Sequence, residues 1–220
     1  MASIIDHCLQ VAVHFGCTKI VNTLFATYCR KRKTNALCLA IESGQQEIVA
    51  SLLAAGARPN DRAMQLAIAT NQINIVTVLL EAGADVHSGD NAALTRAVVH
   101  GNLEAIRILL AAGANPNSRR GALLNLAIIH GNIEIVKLLL SANADYYVGD
   151  GIAIRIAIMQ GHQNIAILLA SYYTTERLLH VRDGLMFLDR KLRLFDDVVA
   201  QHVPRGSRTK AALRETRPDI

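Results

Sequence analysis

Apolar residues recur along this chain in a pattern that repeats about every 30 positions. Five segments share it: LCLAIESGQQEIVASLLAAGA, MQLAIATNQINIVTVLLEAGA, LTRAVVHGNLEAIRILLAAGA, LNLAIIHGNIEIVKLLLSANA and IRIAIMQGHQNIAILLASYY. A weaker first copy, LQVAVHFGCTKIVNTLFATY, precedes them. One alanine marks the same position in all six copies: Ala12, Ala40, Ala67, Ala97, Ala127 and Ala157, at spacings of 28, 27, 30, 30 and 30 residues. Self-similarity at a fixed period predicts a repeat architecture.

Each copy predicts two short helices joined by a turn. In the fourth copy the apolar spacing predicts helices over 92–100 and 103–112. Helix ends are followed by glycine, which adopts the left-handed conformation needed there: Gly16, Gly44, Gly56, Gly83, Gly101, Gly113, Gly131 and Gly161. Asn71 and Asn143 replace glycine twice, and asparagine is the next-best residue for that conformation. Because such a helix pair cannot bury its apolar face alone, the copies are expected to stack.

The copies resemble the ankyrin repeat. In the fourth copy the resemblance is carried by Ala97, Gly101, Ile106, Leu109, Leu110, Gly113, Ala114 and Asn115, with matching positions in the others. It covers about 170 of the 220 residues and implies an all-α, ankyrin-type helical-repeat solenoid. The family's T-P-L-H tetrad is absent, so the resemblance rests on the helix pair.

The connections between copies are shorter than the family's. Ala84 and Ala97 are 13 residues apart, and Ala57 and Ala67 only 10. The missing residues fall in the β-hairpin finger, so we predict shortened fingers: tight turns with little or no β structure. Shortened repeats of this kind resemble those of giant viruses and some intracellular bacteria.

Four segments follow from this pattern. Residues 1–33 form a degenerate N-terminal capping repeat with a basic loop, and residues 34–173 hold five repeats. Residues 174–201 are amphipathic and predict a helical cap, because the last repeat of a stack needs a polar outer face. Residues 202–220 predict a basic, flexible tail.

Composition agrees with stacked layers of small aliphatic residues. Hydrophobic residues make up 51% of the chain but aromatic residues only 4%. Apolar runs are too short to cross a membrane, which needs about 18 residues, so no membrane partner is expected. All four cysteines fall within residues 8–38. We interpret them as reduced thiols of an intracellular, cytoplasmic protein.

The sequence favours neither catalysis nor a cofactor. No phosphate-binding G-x4-G-K-[ST] motif and no C-x2-C or H-x3-H pair occurs. The nearest metal-like grouping is His7, Cys8, His14 and Cys17, which we interpret as core thiols and surface histidines. Residues 34–173 carry a net charge of −2, against +4 and +3 for the segments before and after them. Nucleic acid is therefore not an expected partner.

The predicted binding residues are the two that precede the turn after each first helix. In ankyrin proteins these positions face a groove and contact partner proteins. Here they are Glu42, Ser43, Ala69, Thr70, Val99, His100, Ile129, His130, Met159 and Gln160. One column reads Glu-Ala-Val-Ile-Met, which suits an amphipathic helix or an extended segment. The alternative is that the fingers fold inward and cover this column.

The basic run Arg30, Lys31, Arg32 and Lys33 has two interpretations, a solvated loop and a nuclear-import signal. We predict a monomeric, non-catalytic scaffold for a partner protein. The alternative function is a recruitment adaptor or a host-directed effector, delivered into a host cell, whose residues 174–220 dock a second protein.

Overall fold

The structure is a computed structural model that describes residues 2–25 and 30–174 together with Leu178 and Val181. The described residues divide into two compact units, one within 1–115 (unit 1) and the other within 116–220 (unit 2). The first unit contains eight helices within the described residues: α1 (Ala2–His14), α2 (Thr18–Phe25), α3 (Arg30–Glu42), α4 (Gln46–Ala54), α5 (Asp61–Ala69), α6 (Ile73–Glu81), α7 (Ser88–Val99) and α8 (Leu103–Ala111). The described part of the second contains four: α9 (Ser118–Ile129), α10 (Ile133–Ser141), α11 (Val148–Gln160) and α12 (Gln163–Ala170).

Each copy is a pair of helices joined by a short turn, and pairs within a unit pack on one another. First helices contact first helices, as α5 does with α3 and α7, and second helices contact second helices, as α6 does with α4 and α8. The marker alanines lie in these contacts: Ala40, Ala67, Ala97, Ala127 and Ala157 are at most 1% exposed. A side chain this small allows neighbouring helices to approach closely. The all-α repeat architecture predicted from the sequence is therefore confirmed.

Within the described residues no strand replaces the missing fingers. The fourth copy instead begins with a left-handed helical turn, in which Gly89, Asp90 and Asn91 have φ of 61°, 57° and 58°. The Asn91 N–H donates to the carbonyl oxygen of His87 at 3.2 Å, which closes the turn. Asn91 is 5% exposed, and its Oδ1 accepts the Asn115 N–H at 3.0 Å. The tight turn predicted here is therefore left-handed, and its Asn91 side chain also holds the connection that follows the fourth copy at Asn115.

The fifth and sixth copies carry the same feature. Arg119 and Gly121 have φ of 54° and 75°, and Gly149 and Gly151 have φ of 64° and 78°. The third copy, whose connection is three residues shorter, has no such turn; α5 starts directly after Asn60, whose Oδ1 accepts the Ala63 N–H at 2.9 Å. Its connection borders a cavity of about 540 Å³. The difference between the 30-residue and 27-residue copies is thus this left-handed turn.

The structure also bears on two sequence interpretations outside the repeats, the basic loop and the C-terminal cap. The basic run Arg30–Lys33 forms the first turn of α3, so the predicted basic loop is wrong: the helix extends into the connection ahead of the repeat's apolar positions. Leu178 and Val181 are 3% and 1% exposed, so these two residues of the predicted cap are buried. Residues 182–220, with the rest of that cap and the tail, lie outside the described residues.

Candidate functional site

All ten predicted binding residues are exposed at the ends of first helices. We call them the helix-end surface. Its large apolar members, Val99, Ile129 and Met159, are 48%, 47% and 51% exposed. The residues before them, Val98 and Ile128, are at most 1% exposed, because one step along a helix rotates the side chain by about 100°. The interpretation that shortened fingers cover this column is therefore wrong for the described residues.

The two units divide the helix-end surface between them. Unit 1 holds Glu42, Ser43, Ala69, Thr70, Val99 and His100, and unit 2 holds Ile129, His130, Met159 and Gln160. Contacts of α5 with α3 and α7 bring the unit 1 residues onto neighbouring helix ends, and the contact of α9 with α11 does the same in unit 2. Each unit therefore presents its own row of side chains.

Side chains at the turns tie successive helix ends together. In the third and sixth copies the residue after the helix-ending Asn or Gly reaches back to the preceding copy: Gln72 Nε2 donates to the Ile41 carbonyl oxygen at 2.7 Å, and His162 Nε2 lies 3.4 Å from that of Ile129. The His162 ring also covers Gly131, where a Cβ would be 2.7 Å from the ring. These contacts hold the helix ends of neighbouring copies in register.

Charges near the surface are exposed and contribute little to stability. Arg62 Nη2 lies 3.8 Å from Glu42 Oε1, and both side chains are largely solvated. Exposed pairs of this kind are worth about 0–1 kcal/mol. Arg96 donates to Gln65 Oε1 at 3.3 Å. The helix-end surface itself thus consists of apolar and polar side chains, with Glu42 as the one carboxylate among its ten residues.

Phe15 lies at an equivalent helix end but is not among the ten predicted binding residues. This residue precedes Gly16 as His100 precedes Gly101, and it is 74% exposed. The His14 ring meets it edge-on at 5.4 Å. Phe15, Val11 and Ser43 border a depression of about 420 Å³. The signal was available, because Phe15 occupies a column that is polar in the other five copies.

Cys8 and Cys17 of the metal-like grouping are exposed, so the interpretation of these two cysteines as core thiols is wrong. In the described residues no three His, Cys, Asp or Glu side chains come close enough to hold a metal ion. The helices of that same part are all too short or too polar to cross a bilayer.

Comparison with known families identifies the same repeats as the helix pairs of the structure. A family model described as ankyrin repeats in three copies matches residues 60–120, and a single-repeat ankyrin model matches residues 122–150. No curated protein matches the chain.

Proposed function

Residues 60–150 of this chain are ankyrin repeats, which are generally protein–protein interaction modules, and from that premise we propose that the protein is a non-catalytic scaffold. It binds a partner protein through the helix-end surface. We propose further that it acts as a monomer inside cells, without a cofactor or nucleic acid.

One observation carries this proposal. Val99, Ile129 and Met159 stand at the same position of three copies and are all about half exposed. Apolar surface left in water costs about 25 cal/mol per Å², so side chains of this size at one repeated position are typical of an interaction surface. A fold that needed only stability would be served by polar residues there, as at Glu42.

The spacing of these side chains favours an amphipathic helix as the ligand. Packed helix axes lie about 8–10 Å apart, so Ile129 and Met159, on the contacting helices α9 and α11, are separated by about that distance. Residues i and i+7 of an α-helix are about 10.5 Å apart along its axis. A partner helix with apolar residues at that spacing would place one on each helix end. An extended segment remains the second possibility.

The test uses paired charge substitutions. We expect V99D with I129D to weaken partner binding at least 100-fold, because each buries a carboxylate in the apolar contact. The partner is first identified by cross-linking mass spectrometry in the native cell, and its Kd is then measured by calorimetry. The matched control is I20D, since Ile20 is 50% exposed but lies on a second helix, α2.

Calorimetry reports the effect of these substitutions on binding, and circular dichroism reports whether the variants remain folded. Equal Kd values for V99D/I129D and I20D would refute the proposed surface. Loss of helical content in V99D/I129D would place the column in the core instead.

The adaptor alternative requires residues 174–220 to hold a second protein. The burial of Leu178 and Val181 supports a cap at the start of this segment. We therefore propose the cap as its role. We likewise propose that the run Arg30–Lys33 serves the repeat as a helix start, with nuclear import as its alternative role. Delivery into a host cell belongs to the effector alternative for the whole protein.

A further inference from the structure

A polar pocket opens within unit 1 where the third and fourth copies meet. It has a volume of about 370 Å³ and is bordered by the turn at Asn71 and by His100 and Asn102. Ile68, Ala69 and Leu103 supply its apolar walls. Ala69 and His100 belong to the helix-end surface, so a ligand on that surface passes over the pocket.

Hydrogen bonds orient both asparagines without ambiguity. The backbone N–H of Ala105 can only donate, and it donates to Asn102 Oδ1 at 3.0 Å. Asn102 therefore presents Nδ2 to Asn71, and the atom of Asn71 that lies 2.7 Å away is its Oδ1. The Asn71 Nδ2 group is left with two N–H donors and no protein acceptor in the described residues. The usual exchange of oxygen and nitrogen in an amide is excluded here, because it would place donor against donor.

The side chains at the pocket thus offer hydrogen-bond donors, and no negatively charged side chain lies beside them. A histidine ring carries at least one N–H in every protonation state, and the His100 ring has no hydrogen-bond partner among the described residues; only its backbone N–H is bonded, to the Arg96 carbonyl oxygen. Neither Asp nor Glu borders the pocket. An oxygen acceptor is the group that such a site binds, and a carboxylate accepts from several donors at once.

We propose that this pocket receives the carboxylate of an Asp or Glu side chain on the partner helix, held by Asn71 Nδ2 and His100. The proposal rests on the proposed function and specifies the partner: apolar residues for Ala69 and Val99, which are the apolar part of the helix-end surface in unit 1, and one acid for this pocket.

The sequence of the copies supports a role for Asn71 beyond its turn. The other five copies have glycine at this position: Gly16, Gly44, Gly101, Gly131 and Gly161. Asn71 has φ of 58°, a conformation that glycine adopts at lower cost. The asparagine is therefore not required by the backbone. What it adds is the carboxamide that meets Asn102 and faces the pocket.

The experiment is a selection on the full chain. A display library of 20-residue amphipathic helices, with apolar residues seven apart and all other positions randomised, is enriched on the wild-type protein and on N71G. We expect wild-type binders to share an Asp or Glu at one fixed position, and N71G binders to keep the apolar spacing without that acid. N71G is a suitable variant because it restores the residue of the other copies and removes only the carboxamide.

A double-mutant cycle then measures the contact. Replacing the selected acid by its amide, for example Glu→Gln, is expected to raise Kd about tenfold on the wild type and less than twofold on N71G, since a hydrogen bond to a charged group is worth about that factor. If V99D abolishes binding of the selected helices but these helices share no acid, the pocket proposal is overturned while the proposed function stands. Binders that V99D leaves unaffected, or no enrichment at all, contradict the proposed function as well.

Discussion

Gly151→Ala is expected to destabilise the protein more than Gly161→Ala, although both glycines have nearly the same backbone conformation. Their φ values are 78° and 79°. Alanine in the left-handed region costs about 1–2 kcal/mol, so this part of the penalty is shared. The surroundings differ. A Cβ on Gly161 would meet nothing within 4 Å, whereas one on Gly151 would lie 2.6 Å from Val181 Cγ2 and 3.2 Å from Tyr173 Cε1.

The magnitude follows from that contact. Neither neighbour can move freely, because Val181 is 1% exposed and Tyr173 is 7% exposed, and Tyr173 Oη donates to the Tyr146 carbonyl oxygen at 2.6 Å. Forcing a methyl group into such packing costs about 1–3 kcal/mol. We therefore expect a loss of about 1–2 kcal/mol for G161A and about 2–5 kcal/mol for G151A.

The assay is urea unfolding of both variants, followed by circular dichroism. Adding Val181→Ala tests the cause: it removes the γ-methyl that the new Cβ would strike, so the double variant should lose less stability than the two single variants added together. Equal losses for G151A and G161A, or full additivity with V181A, would refute the contact between the start of the cap and the last repeat.

Two further predictions concern buried polar groups. Asn91→Ala should cost about 2–4 kcal/mol in urea unfolding, because it loses the bond to the Asn115 N–H and strains a φ of 58°; Asn91→Gly should cost less, and an equal cost would show that φ is unimportant. Burial raises the pKa of the Cys38 thiol, so a thiol reagent at pH 8 should modify the exposed Cys8 and Cys17 well before Cys38. Equal labelling rates for the three cysteines would contradict the burial of Cys38. Because the unfolded thiol ionises at lower pH than the folded one, the free energy of unfolding should also fall as pH rises above the ordinary thiol pKa.

Much of the local structure follows from residue spacing alone. A period of about 30, alanines at the helix contacts and glycine or asparagine after helix ends predict the helix pairs, and Asn71 and Asn143 do adopt the positive φ expected of them. Each of these features depends on residue types within one copy or on residues that recur at the same position in every copy. The same alignment shows Phe15 as the one hydrophobic residue of a column that is polar in the other five copies, and the structure adds that Phe15 is 74% exposed.

Two features depended on tertiary structure. The three residues that distinguish a 30-residue copy from a 27-residue copy form a left-handed turn, and sequence length alone does not distinguish it from other tight turns; the packing of Asn91 against the next connection selects it. The orientation of the Asn71 carboxamide is likewise set by Asn102, 31 residues away.

What the sequence by itself determined is the set of repeats and the ends of most helices, because helical periodicity and left-handed helix ends are local consequences of residue type. Tertiary structure decided that Val99, Ile129 and Met159 stay uncovered. It also decided which donors at the pocket remain available, since hydrogen bonding between copies consumes some polar groups and leaves others to a ligand.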